Sequence, residues 1–156
     1  MIDWKTIDWT NPAGKISKYF AVNEALWLNK LGRLAYESDG LNSLVKEQIC
    51  ILADKLDLVR EFIGRPMHVH SWYRPKGYNG LVGGAKGSKH LSLGPWSAVD
   101  FHSDLPKEKS VSASCATIRA AIEPRLEKWG LRCEDLDGPW VHLDSAPVVT
   151  RRFFKP

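Results

Sequence analysis

The chain has 156 residues, 44% hydrophobic and 26% charged, the make-up of one soluble globular domain long enough to bury a core. Its net charge of +4 is spread without a block of like charges, which argues against a basic arm for nucleic acid. No apolar run approaches the roughly 18 residues of a membrane span, so neither a nucleic-acid partner nor a spanning segment is expected.

Residues 1–20 read as a mixed extension with a turn signal at Asn11-Pro12-Ala13-Gly14. From Asn23, a candidate N-cap, Ala25, Leu26, Leu28, Leu31 and Leu34 recur at helical steps until Ser38-Asp39-Gly40. A longer helix is expected from about Leu41 to Ile63, stopped by Gly64. Met67 to Trp72 alternates with period two and predicts a strand. The Gly-rich stretch from Asn79 to Lys89 reads as loop or short helix. Ala98 to Phe101 is a short strand, and Ser110 to Trp129 a helix bent near Pro124. Gly130 to Glu134 and Trp140 to Leu143 are two strands joined through Asp135-Leu136-Asp137-Gly138-Pro139, and the tail folds Phe153 and Phe154 back onto the domain. The class is α+β, a small antiparallel sheet with flanking helices in a single domain spanning residues 1–156.

The sequence carries no apolar leader at Met1-Ile2-Asp3-Trp4-Lys5, so synthesis in the cytoplasm without a secretory signal is expected. Cys50, Cys115 and Cys133 are widely spaced and odd in number, as expected of reduced, mostly buried thiols.

The chemistry concentrates late in the chain. His90 follows the Gly-rich stretch, Asp100 lies in one short strand and His142 in another. Two imidazoles and a carboxylate suit Zn²⁺ and leave a fourth position open, as a catalytic site requires. His142 and Asp144 share one strand face with Trp140, and Asp100 shares a face with His102. Taken singly, each has an ordinary alternative: an exposed loop His, a capping Asp, a core His with a partner. Taken together with Arg74 and Glu134, they form a polar set in apolar strand contexts, and such side chains need partners. His68 and His70, two apart on one strand face, indicate no third ligand and are expected in core or supporting roles. Cys133 alternates with Glu134 and is expected on the opposite, core face.

Four ordered motifs carry a resemblance: Ser71-Trp72-Tyr73-Arg74, Ser88-Lys89-His90, Ala98-Val99-Asp100 and Trp140-Val141-His142. In these the chain, from about Phe20 to its end, resembles the M15 zinc peptidases of bacteria and phages, in particular their D-Ala-D-Ala carboxypeptidases and endopeptidases, with the Hedgehog/DD-peptidase fold. The resemblance implies Zn²⁺ held by His90, Asp100 and His142, with Arg74 facing substrate beside Tyr73, Ser88 and Trp140. It implies hydrolysis of peptidoglycan stem peptides, and a monomer is expected; without a secretory signal, phage-mediated release, a place in the virion, or action in the cytoplasm on recycled wall fragments would each fit. Two departures stand out. Ten positions separate His90 from Asp100, more than is usual in the family, the surplus lying around Leu93-Gly94-Pro95-Trp96. Where many relatives carry a Glu shortly before the last His, this chain has Pro139. The general base then falls to Glu134 at a strand end, or to Asp137 in the turn. The contrasting expectation is a non-catalytic wall-binding or virion structural module that keeps the fold and the metal.

Overall fold

The computed structural model describes residues 2–155. In chain order they form α1 (Val22–Leu26), β1 (Trp27–Leu28), β2 (Arg33–Leu34), α2 (Ser43–Ile63), β3 (His68–Ser71), α3 (Lys76–Leu81), β4 (Ala98–His102), α4 (Val111–Ile122), α5 (Leu126–Trp129), β5 (Arg132–Glu134), β6 (Val141–Asp144) and β7 (Phe153–Phe154). Short 3₁₀ turns join several of these elements. The class is α+β, as the sequence pattern predicts.

The functional half is a five-stranded sheet in the order β3-β4-β6-β5-β7. β3, β4, β6 and β5 pair antiparallel, and β7 runs parallel to β5. Strand alternation splits the sheet into two chemistries. Val99, Phe101, Cys133, Val141 and Leu143 are fully buried and belong to the main core, together with Ile49, Leu52 and Leu56 of α2 and Ile118 of α4. The opposite face carries Asp100, His102, Glu134, His142 and Asp144. On that second face His142 and Asp144 are buried and Asp100, His102 and Glu134 half-buried.

α2 begins where Asn42 Oδ1 accepts from Val45 N (3.0 Å) and ends at Gly64, whose φ of 67° is left-handed. A cap of this kind is worth about 1 kcal/mol. The long helix therefore lies within two residues of its expected start. The bend near Pro124 is a 3₁₀ turn at Glu123–Arg125 between α4 and α5.

Two expectations are corrected. The helix from Asn23 stops at Leu26, and its N-cap is Ala21, whose backbone N donates to Glu24 (2.8 Å). Leu28 and Leu34, at apparently helical spacing, instead sit in the two strands of a small hairpin, β1–β2, turned at Gly32 with φ of 61°. The Gly is decisive, because a left-handed turn satisfies the Leu spacing without continuing the helix. Within the N-terminal extension, Trp9, Ile16 and Phe20 are buried in the core. The tail does return, as a strand: Cys133 N donates to Arg152 O (2.7 Å) and Asp135 N to Phe154 O (2.6 Å). All three cysteines are buried and unpaired.

Candidate metal centre

β4 and β6 build the centre by direct cross-strand pairing. Asp100 stands opposite His142 in the ladder, so their side chains leave the sheet together, and His142 Nδ1 lies 2.7 Å from Asp100 Oδ1. His90 arrives from outside the sheet on a 3₁₀ turn, Lys89–Leu91, and places Nε2 at 3.1 Å from Asp100 Oδ2. Ser88 starts that turn by accepting from His90 N (3.3 Å), and Ser92 ends it in a left-handed conformation, φ 49°. The extra residues around Leu93-Gly94-Pro95-Trp96 bulge outward, with Leu93 69% exposed. Ser97 O then accepts from Ser145 N (3.0 Å), which closes the loop onto the end of β6. The longer gap leaves the donors convergent.

Each ring is oriented by its second nitrogen. His90 Nδ1 lies 2.7 Å from the carbonyl of Trp72; only an N–H satisfies that acceptor, so Nε2 keeps its lone pair and faces Asp100. His142 turns Nε2 away from Asp100, toward Asp144 Oδ2 at 3.6 Å and Glu134 Oε1 at 3.9 Å. Asp144 is itself fixed by a two-pronged pair with Arg132, both contacts 2.8 Å.

The electrostatics follow from burial and these partners. Burial pushes the His90 imidazole below its usual pKa, against the opposing charge of Asp100. Burial would also lower His142, but hydrogen bonds to Asp100 and Asp144 and the charges of Asp100 and Glu134 lift it to about 9. For Asp100, burial would raise the carboxyl, and the two imidazoles outweigh it, holding it well below the carboxylate range. His90, Asp100 and His142 each offer one donor atom, and these lie within 4.8 Å of one another.

Arg74 completes the floor. Its Nη2 donates to Asp100 Oδ2 (2.7 Å) and its Nε to Ser71 Oγ (2.7 Å). Ser71 reaches that position because β3 is bulged between Val69 and Ser71, so that Ser71 pairs with Asp100 while His68 pairs with His102. Bulges re-aim side chains in this way beside functional sites. Asp100 and Arg74 open into a cleft of about 680 Å³, whose walls carry His70, His102, Tyr78 and Trp140, a size suited to a small ligand or a peptide segment.

A scan against family models matches residues 29–144 to the model described as Peptidase M15. The chain belongs to the peptidase M15 family. M15 peptidases are metal-dependent, and the family supports metallopeptidase activity here. No curated protein and no solved structure matches this M15 chain.

The remaining expected site residues fall in different places. Trp140 is 40% exposed on the cleft wall. Tyr73, expected beside the substrate, is 4% exposed and packed in the core, with its hydroxyl turned toward Gly40. Ser88 acts on His90 through the turn it caps. Asp137 is exposed and, among the described residues, makes no hydrogen bond or ion pair. Sequence reasoning missed Asn29 and Lys30, which the β1–β2 hairpin brings to the cleft; the signal for them was the Gly32 turn. Among the described residues, no helix is long and apolar enough to cross a membrane.

Proposed function

We propose that this M15 chain is a zinc peptidase that cleaves peptide bonds in the stem peptides of bacterial peptidoglycan, with His90, Asp100 and His142 as the protein ligands. The observation that carries the reading is the convergence of the His90 Nε2 lone pair and His142 Nδ1 on the carboxylate of Asp100, which itself lines an open cleft. Two imidazoles and one carboxylate fit Zn²⁺ better than Ca²⁺ or Mg²⁺, and three protein donors leave a coordination position free. The outer nitrogens support the fit, because ligating histidines commonly donate their second N–H to a carbonyl or carboxylate, the roles of Trp72 and Asp144 here. When bound, the ion supplies Lewis acidity that polarises a peptide carbonyl and acidifies water toward a pKa of about 7.

The chain's own groups do the rest. Glu134 Oε1 takes the proton of the attacking water and returns it to the leaving amine, with Asp137 the alternative base. Arg74 engages protein through Nε and Nη2, which leaves Nη1 to bind a substrate carboxylate or the developing oxyanion. Lys30 and Arg74 make the cleft cationic, and Tyr78 and Trp140 give it aromatic walls; both suit a peptide that carries carboxylates. One observation favours the non-catalytic module: Glu134 stands beside the outer nitrogen of His142, on the side of the ring away from Asp100.

Metal analysis after dialysis, coupled to peptide release from purified peptidoglycan, tests the reading in wild type, His142→Ala and Glu134→Gln. The expected result is tightly held zinc in wild type and Glu134→Gln, lost from His142→Ala. Turnover in Glu134→Gln falls by about 10²–10⁴-fold, the usual worth of general acid–base catalysis. Full turnover in that variant moves the base to Asp137. A zinc-loaded wild type that cleaves no wall preparation makes the protein a binding module, and a wild type without zinc overturns the ligand set.

A further inference from the structure

A second group of metal-type donors lies on the same face of the sheet, and the proposed chemistry does not use it. The β3 bulge keeps both His68 and His70 beside His102 of β4. The ring of His102 lies beside both, with centroids 4.8 Å from His68 and 4.7 Å from His70. Just past the end of β4, Asp104 places its carboxylate oxygens 3.9 Å from His68 Nε2 and 4.0 Å from His102 Nε2. The donors of His68, His102 and Asp104 lie within 4.8 Å of one another.

The decisive contact is between two imidazoles: His102 Nδ1 and His70 Nε2 are 2.7 Å apart. At that distance one nitrogen must carry the proton and the other accept it. With Nδ1–H of His102 as donor, its Nε2 keeps a lone pair on the side of Asp104. A ligating His is commonly oriented in this way through its second nitrogen.

We propose that His68 Nε2, His102 Nε2 and the Asp104 carboxylate form a second divalent-metal site, with His70 orienting His102. Imidazole and carboxylate donors select borderline ions such as Zn²⁺ or Cu²⁺ over Ca²⁺ and Mg²⁺. Tetrahedral ligands at bonds of about 2.0–2.1 Å stand about 3.4 Å apart, so Asp104, at 3.9 and 4.0 Å, and the two imidazoles, within 4.8 Å of one another, must all close on the ion. The Asp104 side chain is 70% exposed and His68 is 54% exposed, so both have room to move and water can fill the open positions. That exposure also makes this the weaker of the two sites. It shares no ligand with His90, Asp100 and His142, although His102 and Asp100 line one cleft.

Zn²⁺ itself is the probe, added to metal-stripped protein and followed by calorimetry and by the imidazole NMR signals. Wild type is expected to bind two equivalents, the second more weakly, with the signals of His68 and His102 moving in that second phase. Asp104→Asn, which alters one exposed side chain, and His68→Gln should each weaken the second equivalent at least about tenfold and leave the first unchanged. His70→Ala should weaken it about tenfold, the scale of lost support for a ligand. A wild type that binds one equivalent, abolished by His142→Ala, overturns the proposal. So does a second equivalent unmoved by both Asp104→Asn and His68→Gln. Failure of the first site reads differently: one equivalent then remains, kept in His142→Ala and lost in Asp104→Asn.

Discussion

A histidine has one lone pair to give when its other nitrogen holds a proton, so the partner of that second nitrogen decides where the ring can bind. In His90 the partner is the carbonyl of Trp72 at 2.7 Å. No feature of Ser88-Lys89-His90 in the sequence names that carbonyl, because it lies eighteen residues earlier in the chain. The residues that converge at the centre were legible in the sequence, but their tautomers were not. Tyr73 shows the reverse, a motif residue whose burial the sequence did not reveal. Burial, helped by the charge of Asp39, pushes its phenol from 10 up to about 12. The folded pKa is thus raised above the unfolded one. Its contribution to stability is therefore fully present below pH 10 and lost as pH rises toward 12. Between those limits wild type should lose about 2–3 kcal/mol more than Tyr73→Phe. Urea denaturation of both proteins at pH 8 and pH 11.5 measures the difference.

At the scale of elements, the sheet concentrates its cost and its purpose on one face. Asp144 is fully buried in β6 and opposite Arg132 in β5. Its carboxylate accepts twice from that guanidinium and once from Ala146 N (2.8 Å). A buried charge left without its partner is expensive, so Asp144→Asn should destabilise the fold by about 3–5 kcal/mol. Asp144 also faces His142 Nε2, so the same variant should bind zinc about 10–100-fold more weakly; urea denaturation and metal titration check the two effects separately. The strands themselves were readable, since Met67 to Trp72 alternates with period two and Val99 and Val141 each precede a polar residue in a short apolar run. The bulge in β3 was not, because period-two alternation puts Ser71 on the face opposite His68 and His70 and only the pairing with β4 reveals the extra residue. The β1–β2 hairpin was hidden for a related reason: Leu28 and Leu34 fit a helix and a tight turn equally well, and tertiary pairing chose the turn.

Across the whole molecule, a chain of contacts runs from the N-terminal segment to the candidate metal centre. Phe20 is fully buried and meets the ring of Trp72 edge-on, centroids 5.6 Å apart at 81°. Trp72 is held in turn through its indole N–H to Ser97 Oγ (3.1 Å), and its carbonyl receives the His90 ring. A displacement at Phe20 therefore reaches His90 through one intervening residue. Composition marked Phe20 as apolar, but nothing local to residues 1–20 tied it to a site seventy residues away; only the packed core does. Phe20→Ala leaves a cavity under Trp72 and should destabilise the protein by about 3–5 kcal/mol. If the chain of contacts transmits that loss, zinc affinity at the His90 centre also falls in protein that is still folded. The control is Ile16→Ala, equally buried but without a ring contact to Trp72, which should lower stability by about 2–5 kcal/mol and leave metal affinity unchanged. Titration of both variants at a temperature where each remains folded separates the two effects: equal affinities would mean that the N-terminal segment supports the fold alone, and a loss confined to Phe20→Ala would locate the support for His90 in the Phe20–Trp72 contact.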